Sequence, residues 1–126
     1  MDSLYRLQAL LCALCLAALG ACSSMKAPAT ADVAVSKEAV ATAASAGAPE
    51  LAPAEMAAAR DKMLRANQAL AAKDYKLARD LANQAQADAK LAQSKANSAK
   101  AAAAADALNE HIRVMREELD RANAPK

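Results

Sequence analysis

From Tyr75 to Ala124 the sequence contains neither glycine nor proline, so no residue in this stretch is expected to interrupt a helix. Alanines recur along it at alternating spacings of four and three residues, the repeat of one helix face. We call this line the alanine seam; it consists of Ala78, Ala82, Ala85, Ala89, Ala92, Ala96, Ala99 and Ala103. Asp74 precedes it as a favourable N-cap. We therefore predict one helix over about residues 75–121, roughly 70 Å long at 1.5 Å per residue.

Near Ala101 the apolar repeat shifts its phase by two residues, and larger side chains replace most of the alanines. The second line consists of Ala101, Ala105, Leu108, Ile112, Met115, Leu119 and Ala122. We call its four large members, Leu108, Ile112, Met115 and Leu119, the apolar stripe. The preceding helix is too short to cover the long helix beyond about Lys95, so the stripe needs the first helix, another copy or a partner to cover it. A long uncovered apolar line is typical of an interaction surface.

Two further helices are predicted before the long one. Pro53 suits the first position of a helix over about residues 53–72, whose apolar face comprises Ala52, Met56, Ala59, Met63, Ala66 and Leu70. Lys73 and Asp74 form the turn of a helical hairpin. A weaker first helix, over about residues 31–46, would be capped by Thr30 and ended by Gly47; its repeat is Val33, Lys37, Val40 and Ala44. The predicted fold is all-α and coiled-coil-like, with an alanine-rich helical domain over residues 30–122 and a tail over 123–126.

Composition excludes a compact α/β enzyme. Hydrophobic residues make up 56% of the chain, but 40 of its 126 residues are alanine, and tryptophan and phenylalanine are absent. Only 14 larger apolar side chains occur between Leu51 and Leu119. Such a chain cannot build a thick core, and it lacks the β-branched runs of a sheet protein.

The sequence also lacks the residue patterns of catalysis, metal binding and nucleic-acid recognition. No base accompanies a plausible nucleophile, and no glycine-rich phosphate loop occurs. His111 is the only histidine, and with Met115 it would supply two ligands, too few for a copper site. The net charge is only +2, with no basic face. We predict no enzyme activity, no metal, no cofactor and no nucleic-acid partner.

Residues 1–21 are predicted to be an export signal. The apolar run from Leu7 to Leu19 has 13 residues, too few to span a bilayer, which takes about 20. It ends in Leu19, Gly20, Ala21 and Cys22, which resemble the lipobox of bacterial lipoproteins. That resemblance implies cleavage before Cys22 and acylation of its thiol by a covalent lipid such as palmitate, which would anchor the chain in a membrane through a tether over residues 22–29. The alternative is an ordinary signal peptide with a stray thiol.

The cysteine and serine positions near this signal complete its interpretation. Cys12 and Cys15 lie inside the signal and would be removed with it, so a cleaved chain would keep only Cys22 and form no internal disulfide. Ser23 after the lipidated cysteine resembles outer-membrane cargo. We therefore expect an exported protein anchored in the outer membrane and facing the periplasm.

The segment from Ala52 to Ala92 contains a recognisable pattern. It includes Ala52-Pro53-x-Glu55-Met56, Ala59-Arg60-x-Lys62-Met63, Ala69-Leu70-x-x-x-Asp74-Tyr75 and Ala78-Arg79-x-Leu81-Ala82-x-Gln84-Ala85-x-x-Asp88-Ala89. This resembles the alanine-rich bacterial lipoproteins that carry a domain of unknown function, over roughly Thr30 to Leu119. Some relatives add a peptidoglycan-binding domain like that of outer-membrane protein A. Because the sequence ends at Lys126, we expect the short form without it.

Three functions remain open. The first is a structural or adaptor role through helix packing, with the apolar stripe contacting another copy or another envelope protein. The second is a covalent peptidoglycan tether through Lys126, as in the murein lipoprotein, whose terminal lysine is joined to the wall. The third is a peptide- or ligand-binding hairpin. In it, Tyr75 and the hairpin would grip the ligand. The predicted turn and packing residues of the hairpin are Leu70, Asp74, Tyr75 and Ala78, and this segment is similar to half a tetratricopeptide unit. In that comparison Tyr75 is expected to fill the core between the helices.

Overall fold

The computed structural model describes residues 25–125, and in this range the chain is all-α, which confirms the predicted fold class. Its helices are α1 (Lys26–Ser45), α2 (Ala48–Leu51), α3 (Pro53–Ala71) and α4 (Tyr75–Asn123). The predicted signal over residues 1–21, with the lipobox Leu19, Gly20, Ala21 and Cys22, lies outside the described residues, as does Lys126.

The first helix begins five residues earlier than the sequence predicts. It starts at Lys26 rather than 31, so residues 26–29 are helical and do not belong to a tether. Pro28 is tolerated because it lies in the first turn, where backbone N–H groups have no partner within the helix. Thr30 is not the N-cap; its hydroxyl instead donates to the carbonyl of Lys26 at 3.0 Å, inside the helix. The N-cap position is occupied by Met25.

The connection between α1 and α3 contains a helical turn that the sequence did not predict. Gly47 ends α1 in the left-handed conformation, with φ +82°, and its N–H donates to Ala44 at 3.0 Å. The next residues, Ala48–Leu51, form the single turn α2 before the chain enters α3 at Pro53. A Cβ on Gly47 would lie 3.3 Å from the amino group of Lys100, so this connection sits beside the middle of α4.

The turn between α3 and α4 is a Schellman motif. The N–H of Lys73 donates to Leu70 at 3.1 Å, and that of Asp74 donates to Ala69 at 2.9 Å. Lys73 has φ +62°, the only positive φ at a non-glycine residue among those described. The carboxylate of Asp74 then caps α4 by accepting from the N–H of Leu77 at 3.1 Å. One helix therefore ends and the next begins within three residues.

Helices α1 and α3 lie along the first half of α4 in opposite directions. On α1, Asp32 pairs with Arg79 of α4 at 2.7 Å, and Ser36 lies beside Ala82, so α1 runs parallel to α4. On α3, Lys62 pairs with Asp88 at 2.6 Å while Glu55 pairs with Lys95 further along, so α3 runs antiparallel. The three helices form an up-down-up bundle.

The core of the bundle is made mainly of alanine. Six members of the alanine seam are fully buried: Ala78, Ala82, Ala85, Ala89, Ala92 and Ala96. The other two, Ala99 and Ala103, are exposed because α3 and the α1–α3 connection end at their level. On α3 the buried residues are Met56, Ala59, Met63, Ala66 and Ala69, and Ala52, just before the helix, is also buried. Larger side chains contribute at few positions, chiefly Val33, Met56, Met63 and Leu81.

The buried face of α1 differs from the predicted one. It comprises Ala29, Val33, Ser36 and Ala43, with Val40 half-buried, whereas Lys37 is exposed. Ser36 is accommodated because its hydroxyl lies 2.7 Å from the carbonyl oxygen of Ala82 and 2.8 Å from that of Asp32. A small hydroxyl with two acceptors within reach can be buried without an unsatisfied polar atom.

Beyond Ala96, helix α4 leaves the bundle. Every described residue from 97 to 125 is exposed. At about 1.5 Å per residue, the helical part from 97 to 123 is roughly 40 Å long. We call it the projecting helix. None of the described helices combines the length and apolar character needed to cross a bilayer.

Candidate interaction surface

The apolar stripe lies on the projecting helix and is open to solvent. Leu108, Met115 and Leu119 are each about 60% exposed, and Ile112 is 37% exposed. The buried residues of α1 and α3 pack against α4 no further than Ala96, so neither helix covers the stripe. Four large apolar side chains on one line of a helix are therefore exposed, a pattern typical of an interaction surface.

The stripe faces nearly opposite to the bundle. Each residue of an α-helix advances about 100°, so the two-residue shift near Ala101 rotates the apolar line by about 200°. The alanine seam faces α1 and α3, whereas the stripe points to the other side of α4. A partner on the stripe would therefore meet no obstruction from the chain's own bundle.

The opposite face of the projecting helix is charged. The seam's spacing continues through Asp106, Glu110, Arg113 and Glu117. Arg113 donates to the carboxylates of Glu110 and Glu117, three residues before it and four after it. The hydrogen bond from Arg113 lowers the pKa of Glu110, and its two carboxylate partners raise the pKa of Arg113. Such pairs stabilise a solvated helix. Outside the stripe, Val114 is a further exposed apolar side chain of the projecting helix.

Polar side chains border the stripe on both edges. On one edge, His111 and Glu118 each precede a stripe residue; on the other, Asn109 and Arg116 each follow one. These are the positions that flank the apolar seam of a two-stranded coiled coil and set the orientation of its partner. Their types were visible in the sequence, but their place beside an uncovered stripe depends on where the bundle ends.

Towards the bundle the line of the stripe becomes polar. Lys90, Ser94 and Asn97 occupy the same side of α4 and are exposed. With Gln93, Ser98 and Ala101 they line an open groove of about 530 Å³. The apolar surface therefore begins near Ala101 and belongs to the projecting helix alone.

The residues predicted at the hairpin are positioned for packing. Ala78 is fully buried, Leu70 is half-buried against the core, and Asp74 caps α4. Tyr75 is only half-buried in the first turn of α4, which corrects the expectation that it fills the core. An open groove of about 320 Å³ beside the turn is lined by Arg65, Gln68, Ala69, Ala72, Asp74, Leu77 and Leu81, without Tyr75.

Sequence reasoning did not identify the polar contacts that hold the bundle in register. These are the pairs Asp32–Arg79, Lys62–Asp88 and Glu55–Lys95, and the Ser36 hydroxyl. The pKa of Glu55 is lowered, mainly by the hydrogen bond from Lys95. Each pair joins residues at least 26 positions apart, so no local spacing reveals it. Over residues 25–125, no three potential metal ligands converge around His111 or elsewhere.

Comparison with known protein families identifies a match over most of the described residues. A family model described as a domain of unknown function, DUF4398, matches residues 31–108, more than half of the chain. The match covers the bundle and the projecting helix up to Leu108, so Ile112, Met115 and Leu119 lie beyond it. No curated protein and no solved structure matches the chain significantly.

Proposed function

This chain belongs to the family of the domain of unknown function DUF4398, and we propose that it is a lipid-anchored structural or adaptor protein of the bacterial envelope. In this proposal it has no catalytic activity and works by presenting the projecting helix to another protein. The observation that carries it is the apolar stripe, held away from the bundle and exposed along about three turns of α4.

The anchor is proposed at Cys22. The lipobox-like sequence Leu19-Gly20-Ala21-Cys22 follows an apolar run of signal-peptide length, and Cys22 stands only four residues before α1 begins at Lys26. A diacylated cysteine would bind a bilayer stably, whereas a single acyl chain binds marginally. Ser23 supports the outer membrane as the destination.

The direction of the helices gives the anchor a mechanical consequence. The start of α1 lies at the same end of the bundle as the α3–α4 turn, because α1 and α4 run parallel from that end. A lipid on Cys22 would hold this end at the membrane. Leu108 is 33 residues beyond Tyr75, so the stripe would begin roughly 50 Å from the anchored end, at 1.5 Å per residue. The contact surface would thus lie far along α4 from the anchored end.

Two measurements test this function. A photoreactive amino acid at Asn109, on the edge of the stripe, should capture an envelope protein or another copy in living cells. The same probe at Glu110, one residue away on the charged face, is the control and should capture far less. Equal capture from both positions would contradict a role for the stripe.

The anchor is tested separately. Metabolic labelling with a palmitate analogue should mark the native chain and not the Cys22→Ser variant, which should also leave the membrane fraction. An unlabelled native chain in the soluble periplasm would contradict the anchor without bearing on the stripe.

A second candidate is a covalent tether to peptidoglycan through Lys126, favoured by the same geometry. Helix α4 ends at Asn123, at the far end from the proposed anchor. Lysozyme digestion of detergent-washed sacculi should then release muropeptides joined to a fragment ending at Lys126. Deletion of Lys126 should abolish them. Sacculi free of such a fragment would exclude this candidate and leave the adaptor role intact.

A further inference from the structure

We propose that the apolar stripe takes a second copy of this chain, packed antiparallel, with Leu108 of each copy opposite Leu119 of the other. This rests on the proposed adaptor function and names its partner. The dimer would join two projecting helices side by side and leave the two bundles, with their proposed anchors, at opposite ends of the shared segment. A dimer with both anchors in one membrane would therefore lie along that membrane.

The order of side chains along the second apolar line suits this pairing. In an antiparallel pair centred between Ile112 and Met115, Ile112 of each copy faces Met115 of the other. The next layers outward place Leu108 against Leu119, and the outermost place Ala105 against Ala122. Every layer therefore combines side chains of similar volume, as close packing of knobs into holes requires. About 18 residues of each helix take part.

The edges of the stripe distinguish the two orientations. In the antiparallel pair, His111 of one copy lies beside Glu118 of the other, and Asn109 lies beside Arg116. Both contacts are favourable. In a parallel pair, His111 would instead lie beside the cationic Arg116, and Glu118 would face only Asn123. The antiparallel arrangement thus places the histidine beside the anionic side chain rather than the cationic one.

The surface between the stripe and the bundle also favours the antiparallel orientation. A parallel pair would continue from Ala101 back towards Asn97, Ser94 and Lys90, bringing like charges and polar groups of the two copies together. The antiparallel pair avoids this, because the partner helix ends near the point where the line becomes polar. It also keeps the two bundles apart.

A lipid surface fits the stripe less well. Helices that lie on anionic membranes carry lysine and arginine along the edges of their apolar face. Here the edges carry one arginine, one glutamate, one histidine and one asparagine, so they offer little attraction to acidic headgroups. Their mixed charges instead match the same surface of a second copy.

The first experiment measures mass against concentration by analytical ultracentrifugation. It uses the chain from residue 22 with Cys22→Ser, which contains all described helices. A dimer is expected, and Leu108→Ala with Ile112→Ala should weaken dimerisation by more than about 100-fold, because the exchange removes four buried side chains per dimer. The control, Leu64→Ala with Leu91→Ala, truncates two similarly exposed side chains on the bundle. It should leave the dimer unchanged.

The second experiment determines orientation. Two single-cysteine variants are made, Leu108→Cys and Leu119→Cys. Each is oxidised alone, and a mixture of the two is oxidised in parallel. The antiparallel dimer predicts a disulfide only in the mixture, because residue 108 faces 119 and lies about 16 Å along the axis from its own counterpart. Disulfides within each separate variant would instead indicate a parallel pair and overturn the proposal.

The outcomes separate this inference from the function on which it rests. A chain that stays monomeric at all concentrations overturns the antiparallel dimer. If Asn109 still captures another envelope protein in cells, the adaptor function stands with a different partner. If the monomer instead binds vesicles of phosphatidylethanolamine and phosphatidylglycerol through the stripe, the surface is a membrane contact. A dimer whose native form carries no lipid would support the inference and contradict only the anchor.

Discussion

The hydroxyl oxygen of Ser36 lies 2.7 Å from the backbone carbonyl oxygen of Ala82, across the interface between α1 and α4. The side chain can reach the backbone of the other helix because both residues are small. Both residues are also buried. The alanine seam thus does more than mark a helix face, since it lets neighbouring helices approach closely enough for polar contacts with the backbone. Close approach compensates in part for the little apolar area that each methyl group buries.

Enlarging the seam should therefore be costly inside the bundle and harmless outside it. Ala82→Leu places three extra carbons against α1, and we expect it to lower the free energy of unfolding by about 1–3 kcal/mol or more. Ala103→Leu changes the same seam where it is exposed, and should alter stability by less than about 0.5 kcal/mol. Urea unfolding followed by circular dichroism measures both. Equal losses would show that the bundle extends to Ala103.

Lys73 adopts the left-handed conformation at the end of α3, which costs a non-glycine residue about 1 kcal/mol. Lys73→Gly should raise the free energy of unfolding by about 0.5–1 kcal/mol, part of the gain being offset by the entropy of the unfolded chain. Lys90→Gly, in the exposed interior of α4, is the control and should lower stability by about 1 kcal/mol. A loss at both positions would argue against the Schellman turn.

Asp74 caps α4 through a hydrogen bond from the N–H of Leu77. Asp74→Ala should destabilise the bundle by about 0.5–2 kcal/mol, whereas Asp74→Ser, which keeps an acceptor, should lose much less. Thermal melting of the three proteins measures the difference. If serine were no better than alanine, the contribution of Asp74 would not come from capping.

The pair Glu55–Lys95 predicts a pH dependence. The hydrogen bond from Lys95 lowers the pKa of Glu55 below its ordinary value of 4.5. A carboxylate whose pKa falls on folding stabilises the native state fully above its ordinary pKa, and this contribution disappears as the pH falls through the lowered value. Wild type should therefore exceed Glu55→Gln in stability at pH 7, and the gap should close at acid pH.

The same pair supplies its own control. Once Lys95→Gln has removed the donor, Glu55→Gln should have a smaller effect at pH 7, because the hydrogen bond from Lys95 is the main cause of the lowered pKa of Glu55. Unfolding curves at several pH values measure this coupling. A gap between wild type and Glu55→Gln that widens below pH 4.5 would contradict the direction of the pKa change.

The helical hairpin could be read from the sequence to within a few residues. The repeats on α3 and α4 contain no competing signal, and Pro53 and Asp74 mark where each helix begins. The first helix was less predictable. Its apolar repeat is weak, so the sequence did not show whether Ser36 or Lys37 faces the bundle. The contact between Ser36 and the carbonyl of Ala82 identifies Ser36 as the buried residue.

Local pattern by itself determined that the chain is helical, where α3 and α4 lie and that the apolar line changes face near Ala101, because propensity, capping and periodicity act over a few residues. Tertiary structure decided what the pattern could not: which seam alanines are buried and which way α1 runs. It also decided that the stripe is left uncovered. Ala96 and Ala99 are chemically identical positions on one repeat, and they differ in burial only because the packed helices end between them.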